Sequence, residues 1–268
     1  MSINKINGSA SDVLSKVNGT NDALLCNMLQ GGLNNANAPM FNSHSVLFNG
    51  SSNYLVVDTV AGNIDTDKGT YSTWIKFNGA TSINGQIIKA SVNSNNQVSM
   101  VYHNSSQKFY FTYKAGGTTK RVEVATTEEG DGNWTHLAQT WDTAADELKG
   151  YVNGSQVAST VGSLGTFSGT INKCYVGRNT LAANSYVKGY VDEVGVWDEV
   201  LDDDAITAVY NSGKGINLTR NVGNYDNAND LIAYWKMEEN TGTSIVDSSG
   251  NSNTGTLSHS SLFSTITI

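Results

Sequence analysis

The sequence predicts an all-β fold, a sandwich of two packed sheets that carries one short helix after its last long strand. Three observations carry that expectation. Segments alternating apolar with polar or small residues, rich in Val, Ile, Thr and aromatics, recur from Ser45 to about Leu218 at spacings typical of a sandwich. The 27 glycines and the abundant asparagines supply tight turns rather than long helices. The clearest change to a helical period is confined to one stretch, where Leu201 precedes Asp202 and Ile206, Val209 and Tyr210 then share a face.

Taken in order, residues 1–22 hold a short repeat, Lys5-Ile6-Asn7-Gly8 and then Lys16-Val17-Asn18-Gly19. Each copy is a few residues of strand pattern ending in Asn-Gly, a strong hairpin signal. Residues 23–42 add a brief apolar patch, Leu24 to Leu29, and a Gly/Asn-rich connection. This is too sparse to bury a core, so residues 1–42 read as an N-terminal arm that docks elsewhere. Residues 43–218 read as the sandwich. In YSTWIKF, Tyr71, Thr73, Ile75 and Phe77 share one face and Trp74 takes the other. Gln86–Lys89 and Val98–Tyr102 are shorter strands. In KFYFTYK, Phe109, Phe111 and Tyr113 share a face and Tyr110 opposes them. Trp134–Trp141 is a long strand, and Leu148–Val157 a hairpin about Asn153-Gly154.

Val187 to Trp197 is the longest strand signal, and a helix follows it. Asp202 can cap that helix by accepting from free N–H groups two or three residues on. Asp203 and Asp204 then fall in the first turn, where the helix dipole favours negative charge. Gly213 stands where a left-handed stop is needed. Residues 219–268 contain one more strand, in which Ile232 and Tyr234 alternate with Ala233, Trp235 and Met237, apolar on both faces. Such a segment cannot stand alone and should dock on the sandwich.

The stretch YVKGYVDEVGVWDEVLDDDAITAVYNSG (186–213) resembles the closing part of laminin-G-like domains of the concanavalin A-like lectin/glucanase superfamily. SVLFNGSSNYLVV (45–57) resembles the opening strand pair of such domains. TYSTWIKFNG (70–79) and NWTHLAQTWDTAADELKGYVNGSQV (133–157) resemble the next strands, in the expected order. The resemblance covers roughly Ser45 to Gly213 and implies a jelly-roll β-sandwich. LIAYWKMEENTGTSIVDSSGNSNTGTL (231–257) resembles the part that usually precedes the opening strand, so its position here implies that residues 219–268 supply permuted first strands. The N-terminal Lys-(Ile/Val)-Asn-Gly repeat is similar to those opening many structural proteins of tailed bacteriophages.

Totals narrow the function. The net charge is −8 and only 16 Lys/Arg are present, scattered along the chain, which argues against a nucleic-acid partner. No apolar run is long enough to insert into a membrane, and the N-terminus has no apolar signal-peptide core. Cys26 and Cys174 match no metal or redox spacing. They read as buried thiols, with a disulfide as the alternative.

Little catalytic chemistry is visible. Glycosidic cleavage needs two carboxyl groups flanking one bond; hydrolase relatives carry Glu-x-Asp-x-Glu or Glu-x-Asp-x-x-Glu, and neither string occurs. Asp192 and Glu193 are adjacent, so on a regular strand they point to opposite faces. His44, His103, His136 and His259 form no zinc pattern, and His136 reads as a hydrogen-bonded structural residue. Hard cations need oxygen ligands, which Asp/Asn-rich turns supply. The resemblance implies a structural calcium near VDSSGNSNTG, with Asp247 and Asn251 as ligands and Asp192 as a partner from the long strand. An Asx-turn at Asp247 is the competing reading. For sugar binding, the five Trp residues fall in core-like strand patterns, which leaves Tyr102, Tyr110, Tyr186 and the Asn-rich loops.

The expected function is therefore a non-enzymatic structural or decoration protein of a bacteriophage virion that displays a lectin-like sandwich. Its expected partners are other virion proteins, further copies of itself and a host-surface or environmental glycan. The alternative is a freestanding carbohydrate-binding module of a cellular protein.

Overall fold

The computed structural model describes residues 40, 42–79, 84–126, 132–161, 163–260 and 262–268. The N-terminal arm, apart from Met40 and Asn42, lies outside the described residues, as does Cys26. The strand-patterned segments build two eight-stranded sheets. The first runs β10 (Ser155–Val161), β9 (Glu147–Val152), β8 (Thr135–Asp142), β3 (Lys68–Phe77), β12 (Lys188–Trp197), β1 (Ser45–Asn49) and β16 (Phe263–Ser264), with β13 (Leu231–Trp235) also on β12. The second runs β14 (Ser244–Ile245), β15 (Gly255–Leu257), β2 (Leu55–Val56), β11 (Lys173–Val176), β4 (Gly85–Asn93), β5 (Asn96–His103), β6 (Lys108–Ala115) and β7 (Thr118–Ala125). A single helical turn, α1 (Asp58–Ala61), follows β2, and α2 (Asp203–Tyr210) follows β12.

The fold is thus an antiparallel jelly-roll sandwich. Its main core takes Tyr71, Ile75 and Phe77 from β3 and Phe109, Phe111 and Tyr113 from β6, all buried. Trp74 points the other way, where its ring stacks on Tyr210 of α2 at 5.6 Å. That outer face of the first sheet carries a second apolar layer, in which Trp197 and Tyr234 meet Leu201, Ile206, Val209 and Tyr225. Aromatic burial on both faces explains why β12 and β3 carry apolar residues on both sides. The Asp202 carboxylate caps α2 by accepting from Ala205 N at 2.7 Å. The helix stops earlier than Gly213: Asn211 takes the left-handed conformation (φ 47°) and ends it. The β9–β10 hairpin turns on Asn153 and Gly154 with φ of 50° and 76°, the twist two-residue hairpins prefer.

One edge of β12 is shared between two strands. Val191 to Lys188 pair with β1, while Val194 to Trp197 pair with β13. Between them the register against β3 slips at Asp192–Gly195, and Glu193 sits at a φ of 50°. This is a bulge. The C-terminal segment also reaches the second sheet, where β15 pairs with β2, and β16 returns to pair with β1.

Candidate functional site

Eleven residues, Gly177–Val187, link the second sheet to the first. Val187 N donates to Gly177 O at 2.9 Å, so the ends of the loop meet and it forms a compact Ω-loop. Asparagines organise its interior. Asn179 Oδ1 accepts from Leu181 N (3.0 Å), and Asn179 Nδ2 donates to Asn184 Oδ1 (3.0 Å). Ser185, at φ 55°, turns the chain so that its carbonyl accepts from Gln86 N at 2.8 Å. The loop is further fixed to the outward face of β4 by Ser91 Oγ and Thr180 Oγ1, 2.6 Å apart.

An open cleft of about 540 Å³ lies beside this loop, lined by Asn84, Asn104, Ser105, Asn184, Ser185 and Tyr186 with Ala183. Asn104 N donates to Asn84 Oδ1 at 2.9 Å, which braces the far wall. Amides, hydroxyls and one aromatic ring converging on an open groove match the chemistry of a sugar, which offers hydroxyl groups at its rim and C–H faces for stacking.

Tyr186 belongs to a larger cluster. The Arg178 guanidinium lies 4.4 Å from the Tyr54 ring, 5.1 Å from Tyr175 and 5.9 Å from Tyr186, a cation held by three aromatic faces. Arg178 Nε donates to Asn179 O at 3.1 Å. Lys89 donates from beneath to Asn179 Oδ1 at 3.1 Å and is only 6% exposed. Burial pushes the Lys89 amine down to about 8, and the charge of Lys114 pushes the same way.

The buried carboxylates form a separate site. Because Glu193 is left-handed, the alternation that would send Asp192 and Glu193 to opposite faces is broken. Asn42 Nδ2 instead donates to both, to Asp192 Oδ2 at 2.9 Å and Glu193 Oε1 at 3.2 Å. Tyr234 Oη also donates to Glu193. Glu238 stands nearby and accepts from Ser43 N (2.9 Å) and His44 N (3.2 Å). Desolvation pushes Glu193 up to about 8 and Asp192 well above its ordinary range. The adjoining cavity is about 10 Å³, lined by Met40, Ser72, Trp74 and Glu193 among others. That admits about one water molecule and no sugar ring, so proximity of these acids does not make a glycosidase centre.

Of the sequence-predicted calcium ligands, Asp247 and Asn251 share one turn, in which both bond Ser249. Asp192 is held at the bulge, where its Oδ1 accepts from Glu193 N at 3.0 Å. Asp247 accepts from Tyr234 N and Ser249 N, both at 2.9 Å, and from Asn253 N at 2.8 Å. Asn251 Nδ2 donates to Leu231 O at 2.9 Å. Asp192 shares none of these partners. Asp247 thus accepts three backbone N–H groups, the pattern of an Asx-turn. No group of three or more His, Cys, Asp or Glu suited to a metal occurs among the described residues.

His136 is buried, bonded to Ser72 Oγ at 2.8 Å, and desolvation pushes it down to about 3. Trp74, Trp141, Trp197 and Trp235 are buried, and half-buried Trp134 donates to Thr267 O at 2.6 Å. Tyr102 is not available to a ligand: its register opposite Phe109 turns it into the core. Tyr110 lies on the outer face, stacked on His103 at 4.8 Å. Of the tyrosines left open by sequence, only Tyr186 lines the cleft. Asn84, Asn104, Lys89 and Arg178 went unrecognised, because only the folding of the Ω-loop onto β4 brings them near it.

A family model described as the concanavalin A-like lectin/glucanases superfamily matches residues 49–207. Among curated proteins no sequence match is found. A Bacteroides ovatus protein described as a candidate carbohydrate-binding protein superposes with a TM-score of 0.60 at 18% identity, over 86% of this chain and 62% of that one. The CBM40 module of the Ruminococcus gnavus IT-sialidase, bound to α2,3-sialyllactose, gives 0.52 at 14%, over 65% of this chain and 100% of the module. A heptameric SAP-like pentraxin from Limulus polyphemus gives 0.53 at 16%, over 82% and 96%. The chain thus spans less than two thirds of the length of the Bacteroides ovatus protein.

Proposed function

The chain belongs to the concanavalin A-like lectin/glucanase superfamily, and from that premise we propose that it is a non-enzymatic glycan-binding protein whose sugar site is the cleft beside the Ω-loop. The observation that carries this is the convergence of Asn84, Asn104, Asn184 and Tyr186 on one open groove of about 540 Å³. Tyr186 offers a stacking face and the amides offer paired donors and acceptors for hydroxyl groups. The absence of catalysis rests on the sealing of Asp192 and Glu193, which are 0% and 3% exposed. Display on the surface of a phage particle, with self-association or other particle proteins as partners, is the finer proposal. It is supported by the N-terminal Lys-x-Asn-Gly repeat alone.

A glycan array with the full chain tests the proposal. Tyr186→Ala should abolish array binding while leaving the melting temperature unchanged, since the ring is half-exposed. Incubation with laminarin or agarose should release no reducing sugar. Binding that survives Tyr186→Ala, or steady sugar release, would refute the reading.

A further inference from the structure

The outward face of the second sheet carries more positive than negative charge: Glu123 pairs with Lys108 (3.0 Å) and Arg121 (3.6 Å), which leaves the cations nearer the Ω-loop. Register places Tyr175, Lys89, Ser99, Thr112 and Arg121 in one cross-strand row of that face. The adjacent row reads Lys173, Ser91, Gln97, Lys114 and Thr119. Neither row contains a carboxylate, although the protein has 24 acidic residues against 16 basic ones. Lys89 of the first row meets a further cation, Arg178 of the Ω-loop, at Asn179: Arg178 Nε donates to the Asn179 carbonyl and Lys89 Nζ to the Asn179 side chain. Neither Arg178 nor Lys89 has a carboxylate partner among the described residues.

A buried ammonium with no opposing charge is costly, and a guanidinium flat against aromatic rings still presents its edge to a planar or tetrahedral oxyanion. We propose that this patch receives the anionic group of an acidic glycan, a carboxylate or a sulfate borne on the sugar, with Arg178 contacting it at the surface and Lys89 supplying a second charge beneath. The inference rests on the glycan-binding reading and narrows it, because Tyr186 joins the cleft to the Arg178 cluster.

The charged groups that face Lys89 are Lys114 and, from the loop, Arg178; its other neighbours, Asn179, Ser99 and Tyr175, are neutral. Its amine, already lowered by burial to about 8, therefore loses its proton within an accessible range. Raising the pH from 7 to 9 should weaken binding of an acidic sugar to the wild type and spare Lys89→Arg.

The test is titration calorimetry of the full chain against three arms: neutral cello-oligosaccharides, oligogalacturonates, and sulfated chondroitin oligosaccharides. The expected result is tighter binding in a charged arm, weakened by salt and by about tenfold or more in Arg178→Gln, the scale of one charge-assisted hydrogen bond. The stronger charged arm identifies carboxylate or sulfate as the group read. Equal binding of neutral and charged arms, unmoved by Arg178→Gln or by salt, overturns the inference and leaves the glycan reading standing. Binding in no arm overturns both.

Discussion

Replacing the ionisable Glu193 by neutral Gln should make the protein more stable at neutral pH. The Glu193 carboxylate is 3% exposed at a left-handed bulge, close enough to Asp192 for one amide, that of Asn42, to reach both. Burial is the main force that raises it to about 8, and the Tyr234 hydroxyl, Lys236 and Asn42 only partly offset it. The folded state therefore holds a proton that the unfolded chain releases near the ordinary glutamate value. Stability from this group is full below that value and drains away as pH rises towards 8. At about 1.4 kcal/mol per pH unit, on the order of 2 kcal/mol should be lost between pH 6.5 and 8. Asp192 is displaced in the same direction and adds to the loss. Buried His136 and Lys89 work oppositely, but His136 is nearly finished by pH 7 and Lys89 adds less than about half a kcal/mol by pH 8, so the acids dominate the upper window. Urea denaturation followed by tryptophan fluorescence at pH 6.5, 7, 7.5 and 8 measures this directly. Wild-type midpoints should fall across the series, and Glu193→Gln should be the more stable protein at pH 8 with a flatter profile. A wild type whose stability is constant or rises over that range, or a Glu193→Gln variant weaker than wild type at pH 8, would refute the reasoning.

Two further changes probe the C-terminal segment. Trp235→Ala empties a fully buried site and strands the Asn253 carbonyl that its indole N–H reaches at 2.8 Å; a loss of about 3–5 kcal/mol is expected in one cooperative transition. Truncation at Thr219 that left the melting temperature intact would contradict it. Asp247→Ala removes the acceptor of three backbone N–H groups and should lower the melting temperature equally with calcium or with a chelator, whereas a calcium-dependent difference would restore a metal role to that turn.

The β12–α2 unit was legible because each signal is local: period-two apolar residues, a change of period, and an Asp at the cap. The faces of β3 and β6 followed from alternation alone. What alternation cannot show is where it breaks. Nothing in Asp192-Glu193 announces a left-handed residue, so two acids expected on opposite faces share one amide. Tyr102 went astray for a similar reason, since a short strand of mixed residues does not declare which face is inner. The helix stop fell two residues early because Asn211 tolerates the left-handed conformation nearly as well as Gly213 would. Lys89 and Arg178 are nearly ninety positions apart, and a count of scattered cations carries no information about which of them a loop will bring to one asparagine.

The shared edge of β12 also sets an order of events during synthesis. Strands β4 to β7 are joined by short turns and can pair as they leave the ribosome. The second half of β12 cannot, because its partner is β13, and the free edge of β2 waits for β15. Until residues 231–257 have been translated, each sheet keeps an unpaired edge beside apolar surface, the configuration most prone to pairing with a neighbouring chain. Prematurely terminated or slowly completed chains should therefore be the aggregating species, and a helper that shields nascent edges should raise the yield of folded protein more than any change made to the finished core.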